Sequence, residues 1–319
     1  MTQIVWIDSP SLNRHTAQMQ RTAAEIAAAQ REGEPLEELG VAEARRRYYE
    51  GGGGFGPNVV LDGAETIAVD DHVELRVFTP PRSRGIYLMI HSGGWLSGGP
   101  DLQDRRMMDL ALSAETTVAC VRYRLAPEHP HPAAVDDCET AALWLLEHGS
   151  SLCDAAGIVI GGESAGAHLA ALTLLRLRDA HRCADRIAGA NLVYGIFDLS
   201  LSPSARLAGP EGLVLPTPTL RFMVDTFLGD PGINRQDPAV SPLFANLSGL
   251  VPARFVVGEF DPVLDDTLMM GVRWRAAGNP ALIEVYPASV HAFDEFPTEM
   301  TRLASERQSR WIREMLSAP

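Results

Sequence analysis

Within Gly161-Gly162-Glu163-Ser164-Ala165-Gly166, set between the apolar run Ile158-Val159-Ile160 and a helical run from His168 to Asp179, the sequence asks for a strand, a sharp turn and a helix in quick succession. Glycines at two-residue distance on either side of Ser164 are what a serine needs when it is held on a strained turn at the top of a parallel sheet, where only small neighbours fit. The same residues also suit a tight turn that requires glycines and carries an idle serine. A base, an orienting acid and an oxyanion site at matching places elsewhere in the chain would decide for a nucleophile.

Moving outward, short apolar strands alternate with helical stretches. Glu65 to Val69 and Val73 to Phe78 read as an antiparallel pair, followed by strands at Gly85 to Ile90, Thr117 to Arg122, Ile158 to Gly162, Gly189 to Tyr194, Arg254 to Gly258 and Leu282 to Tyr286. Helices are expected at about 101–114, Val135–His148, after Ser164, Asp265–Ala277 and Thr298–Leu316. Such repeated units imply a mostly parallel sheet covered by helices on both faces. Two segments break the rhythm. Residues 1–56 read as weakly amphipathic helix ending in the glycine run Gly51-Gly52-Gly53-Gly54, a hinge. Residues 196–250, rich in Pro, Ser, Leu and Gly, read as an insertion with a helix near Thr219–Phe227. The expected organisation is therefore a helical cap segment (1–56), a first core part (57–195), a cap insertion (196–250) and a second core part (251–319).

In open parallel sheets, ligands bind beyond the carboxyl ends of the strands. Four polar groups fall there: His91-Ser92-Gly93-Gly94-Trp95, Ser164, Asp261 and His291. A serine hydroxyl becomes a nucleophile when an imidazole accepts its proton, and a buried carboxylate orients and stabilises that imidazole. These roles fall to Ser164, His291 and Asp261, with Asp265, Asp266 and Asp294 as substitutes for the acid. Gly93, Gly94 and Ala165 are the candidate oxyanion donors through their backbone N–H groups, each worth about 3 kcal/mol in the transition state. His15, His72, His148 and His181 read as surface or satisfied core residues. Trp95, Glu163, Phe197 and Phe222 are the candidate substrate contacts, with Phe55 and Phe227 as further pocket aromatics; all could equally be packing.

With His91-Ser92-Gly93-Gly94-Trp95, Tyr123-Arg124-Leu125-Ala126-Pro127-Glu128, Gly162-Glu163-Ser164-Ala165-Gly166, Gly258-Glu259-Phe260-Asp261-Pro262 and His291-Ala292-Phe293 in view, the chain resembles the hormone-sensitive-lipase-like (bacterial family IV) carboxylesterases of the α/β-hydrolase superfamily over roughly residues 60 to 316. The order Ser, Asp, His agrees with that superfamily. The resemblance implies an α/β-hydrolase fold with an eight-stranded sheet, a cap built from N-terminal helices and the middle insertion, and hydrolysis of short- or medium-chain acyl esters. A homodimer through the edge of the last strand would be in keeping with it. Two departures stand out: Ser92 replaces the first glycine of the family's HGGG, and Glu163 stands where Asp or Thr is usual. Glu163 either tunes the site or anchors its loop.

Composition narrows the alternatives. A chain of 319 residues, 46% apolar and 21% charged, is an ordinary globular mix. A formal charge of −14 argues against nucleic acid and anionic membranes as partners. No apolar run is long enough for a membrane span, Met1 to Thr16 carries no basic-then-apolar signal pattern, and the four cysteines are scattered without metal-ligand spacing. The expectation is a cytoplasmic enzyme acting on a small-molecule ester, with no metal or organic cofactor. An amidase or deacetylase using the same residues, and a non-catalytic small-molecule receptor on the same fold, are the alternatives.

Overall fold

The computed structural model describes residues 3–7, 13–50, 60–154, 157–209 and 213–317. The glycine run at 51–57, with Phe55, lies outside them. Nine strands, β1 (Gln3–Trp6), β2 (Glu65–Ala68), β3 (Glu74–Phe78), β4 (Ile86–Ile90), β5 (Thr117–Arg122), β6 (Ile158–Glu163), β7 (Ile187–Val193), β8 (Ala253–Gly258) and β9 (Ala281–Tyr286), make one sheet in the order β1-β9-β8-β7-β6-β4-β5-β3-β2. Strand β3 runs antiparallel to β2 and β5, and every other pairing is parallel.

The helices are α1 (Asn13–Glu32), α2 (Leu36–Leu39), α3 (Val41–Tyr49), α4 (Asp104–Ala114), α5 (Ala133–His148), α6 (Ala165–Asp179), α7 (Pro203–Leu207), α8 (Thr217–Leu228), α9 (Leu264–Ala276) and α10 (Glu299–Ser317). Successive strand residues point to opposite faces, and both faces of this sheet are covered, so the central strands are mostly apolar. Tyr87 and Met89 of β4 pack with Met107 and Leu110 of α4 and Trp311 and Ile312 of α10. Ile86, Leu88 and Ile90 face the other way, into the cluster that includes Ala141 of α5, Leu169 and Leu172 of α6 and Met270 of α9. Helix α6 is buried almost all round, with Ala165, Gly166, Ala167, Ala170 and Ala171 letting it sit close beneath the sheet's rim.

Strands β2 to β9 supply the eight expected from the sequence; the ninth is β1. The N-terminal segment, read as helical, begins with a strand whose residues Ile4 and Trp6 pair with Ile283 and Val285 of β9. The cap boundary at 1–56 therefore does not hold for residues 3–6, which belong to the sheet. The outer edge of β9 is covered by the chain's own β1, so a dimer through the last strand's edge would have to pair β1 instead. Among the described residues no helix is long and apolar enough to cross a membrane.

Candidate active site

Ser164 sits between β6 and α6 with φ 53 and ψ −119, a conformation that costs a non-glycine residue about 1–3 kcal/mol and that the surrounding structure must enforce. Its backbone N–H donates to Val193 O at 2.9 Å. The flanking glycines are required by close approach: a Cβ on Gly162 would sit 2.4 Å from the Gly166 carbonyl carbon, and one on Gly166 would sit 2.0 Å from Ile90 O. The elbow is thus wedged against the end of β4.

His291 follows β9 and Asp261 follows β8, and the structure brings both to Ser164. His291 Nδ1 lies 3.0 and 2.9 Å from the two carboxylate oxygens of Asp261, and His291 Nε2 lies 2.9 Å from Ser164 Oγ. A carboxylate only accepts, so Nδ1 carries the proton and Nε2 of the neutral ring is left to accept from the serine hydroxyl. Asp261 Oδ1 also accepts from the Val263 N–H at 2.9 Å, which fixes the carboxylate. All three residues are buried. The substitute acids are engaged elsewhere. Asp265 accepts from Ser204 N at 2.9 Å, Asp266 from the N–H groups of Phe197 and Asp198 at 2.7 and 2.8 Å, and Asp294 from Arg106 and Tyr194.

Beyond β4, Gly93 and Gly94 adopt φ 115 and 61. Side chains are excluded at both: a Cβ on Gly93 would lie 2.1 Å from Ser97 O, and one on Gly94 would lie 2.6 Å from Met223 Sδ of α8. Met223, on α8, therefore lies directly over the glycine loop, a neighbour that sequence spacing could not reveal. Ala165 opens α6, so its N–H belongs to the first turn, whose donors have no intrahelical acceptor. A backbone N–H there is suited to an anion. His91, at the base of the loop, stacks on Tyr123 at 4.1 Å, and burial lowers its pKa to about 4.

The expected substrate contacts divide. Trp95 is fully buried; it stacks on Phe227 at 4.7 Å and donates its indole N–H to His168 Nδ1 at 3.2 Å. Phe197 is buried edge-on to Phe255 at 6.2 Å. Both are engaged in packing among buried residues, Trp95 from a left-handed backbone, φ 62. Phe222 is half-buried on α8. Glu163 is buried and makes an ion pair with Arg106, Nη1 to Oε2 at 2.7 Å. Among the described residues, no group of three or more His, Cys, Asp or Glu side chains could hold a metal ion.

A sequence profile of the alpha/beta hydrolase fold matches residues 87–295, the span that carries all of these groups. The chain belongs to the α/β-hydrolase fold family. Solved members of similar structure include a hyperthermophilic esterase from the archaeon Pyrobaculum calidifontis, with TM-score 0.82 and 26% identity over 97% of this chain and 99% of that one. An esterase from the bacterial hormone-sensitive lipase family superposes with TM-score 0.78 at 28% identity, covering 97% and 99%. A bacterial heroin esterase does so with TM-score 0.80 at 25% identity, covering 92% and 98%. This α/β-hydrolase is thus aligned over nearly its whole length with proteins described as esterases.

Proposed function

We propose that this α/β-hydrolase is a serine carboxylesterase acting on short- to medium-chain acyl esters through an acyl-enzyme. The observation that carries the reading is the continuous hydrogen-bond line from Ser164 Oγ through His291 to Asp261. In this mechanism Ser164 attacks the ester carbonyl as His291 Nε2 takes its proton, and Asp261 holds the ring and balances the imidazolium. The N–H groups of Gly93, Gly94 and Ala165 receive the oxyanion. His291 then protonates the departing alcohol, and in deacylation it activates water for attack on the acyl group.

The N-terminal helices and residues 196–250 would form the cap over the site. Supporting this are the packing of α2 on α8, the hydrogen bond from Thr219 Oγ1 to Glu37 at 2.9 Å and the seat of Met223 over Gly94. Phe222, on the same helix, is then the best placed of the four candidate contacts to line the acyl pocket. Four free thiols, three of them buried, are in keeping with work in the cytoplasm, and a homodimer remains part of the proposal.

The test is turnover of a p-nitrophenyl ester series from acetate to palmitate, beside the matching p-nitroanilides, by the wild type and Ser164→Ala. The proposal expects serine-dependent hydrolysis strongest on short acyl chains. Preference for the anilides would move the assignment to an amidase, and a folded protein inactive on all of them would point to a receptor.

A further inference from the structure

Behind the Ser164–His291 pair lies a cluster of charged side chains that this chemistry does not use. Arg106, in the first turn of α4, sends Nη1 to Glu163 Oε2 at 2.7 Å and Nη2 to Asp294 Oδ2 at 2.8 Å. Its Nη1 also approaches Glu295 Oε1 at 3.9 Å. Glu163 immediately precedes the serine, and Asp294 lies three residues beyond the histidine. The hydroxyl of Tyr194, at the end of β7, donates to the other oxygen of Asp294 at 2.7 Å, and the Tyr194 ring lies 4.8 Å from the His291 ring. One guanidinium thereby joins the loop bearing the nucleophile to the loop bearing its base, and a tyrosine carries that joint to the imidazole itself.

We propose that Arg106 is a positioning residue for the reaction: it clamps the nucleophile elbow to the histidine loop and so sets the distance between Ser164 Oγ and His291 Nε2. The proposal rests on the serine–histidine reading above. The surroundings of Arg106 favour it over a role in α4's own stability. A cation in the first turn of a helix opposes the helix dipole, and Arg106 makes its ion pairs with partners 57 and 188 residues away instead of along the helix. The helix end is also held in place: Asp104 is buried and paired with Arg76 and accepts from Leu61 N at 2.7 Å. The charge pattern points the same way. Three carboxyl groups face one guanidinium, and burial pushes Glu295 up to about 8. The two carboxyl groups within hydrogen-bond reach of Arg106, those of Glu163 and Asp294, come one from each loop.

A planar fork can hold two carboxylates at fixed angles, whereas an ammonium acts as a point charge. Misplacing reacting groups by about 1 Å costs on the order of 10²-fold in rate. In Arg106→Met, kcat per active site should fall about 10²-fold with KM for p-nitrophenyl butyrate within about threefold, and Arg106→Lys should recover part of that loss. Active sites are counted by stoichiometric release of p-nitrophenolate from diethyl p-nitrophenyl phosphate, so that unfolded protein is excluded from kcat. Should Arg106→Met fail to fold, Glu163→Gln carries the same test, with a drop in kcat of about tenfold at unchanged KM. A kcat within twofold of wild type in whichever variant folds, or a change confined to melting temperature or KM, would overturn the proposal. Ser164→Ala run in parallel keeps the two claims apart: an active Ser164→Ala refutes the esterase mechanism, whereas an inactive one beside a fully active Arg106→Met refutes only the clamp.

Discussion

Asp261→Asn changes one atom in the buried hydrogen-bond line and should reverse the histidine's proton placement. In the wild type, Asp261 Oδ1 accepts from Val263 N at 2.9 Å, and Oδ2 accepts from His291 Nδ1 at the same distance. An asparagine must keep its oxygen toward the Val263 N–H, since turning its amide there would set donor against donor. Its NH₂ then faces His291 Nδ1. The ring satisfies that contact by taking the other tautomer, with its proton on Nε2, 2.9 Å from Ser164 Oγ. The serine then has no acceptor for its proton. The corresponding change in a serine protease triad lowers kcat about 10⁴-fold, equivalent to about 5 kcal/mol in the barrier. Steady-state kinetics on p-nitrophenyl butyrate should therefore show kcat falling by about four orders of magnitude, with a circular-dichroism melt confirming a folded protein. Asp265→Asn is the internal control, because Asp265 holds Ser204 and not His291; its kcat should stay within a few-fold of wild type. If Asp261→Asn kept more than about one per cent of kcat, or if Asp265→Asn were the more damaging change, the assignment of the acid would be wrong.

Two further outcomes follow from the same geometry. Gly166→Ala would drive a Cβ to 2.0 Å from Ile90 O, backbone against backbone, whereas Gly63 has nothing within 4 Å of its added Cβ. Chemical denaturation should show Gly166→Ala losing more than about 4 kcal/mol or failing to fold, and Gly63→Ala staying within about 0.5 kcal/mol; equal effects would contradict the wedged elbow. The second outcome concerns acid. Burial holds His91 and His168 at about 4, below the 6.5 of an exposed imidazole. Between these values the unfolded chain binds protons that the native state refuses, so stability present above pH 6.5 is lost as pH falls toward 4, on the order of 3 kcal/mol for each histidine. Burial raises Asp266 to about 7 and Glu295 to about 8 and so works in the opposite direction. Urea melts at pH 7, 5.5 and 4.5 should therefore be read as a difference, with His168→Gln losing less stability toward acid than the wild type. Equal pH dependence in the two would count against neutral burial of His168.

The central sheet was legible because buried parallel strands are written as short apolar runs, as at Ile86–Ile90 and Phe255–Gly258. The candidate site was legible because its members follow those runs directly and the elbow needs glycines at fixed spacing. Strand β1 was not: Gln3–Trp6 is four residues long, too short to show a period, and it is a strand only because β9 lies open beside it. Arg106 left no local mark either, since a lone arginine on a helix looks like any solvated one until its partners at Glu163 and Asp294 are brought to it by the fold. Met223 and Trp95 teach a related point. Both lie close to the glycine loop in sequence or space, but side-chain direction, which only the fold reveals, decides which lies over the loop and which is core.

The claim at the centre of this account is that Ser164 is the nucleophile. Incubation with diethyl p-nitrophenyl phosphate tests it most directly: attack by Ser164 Oγ at phosphorus would expel p-nitrophenolate and leave a diethylphosphoryl group on the serine. Peptide mass spectrometry should find one adduct per chain, on the peptide containing Ser164, with esterase activity lost in proportion to labelling and no adduct in Ser164→Ala. An adduct on another residue, or full activity in a chain labelled at Ser164, would contradict it.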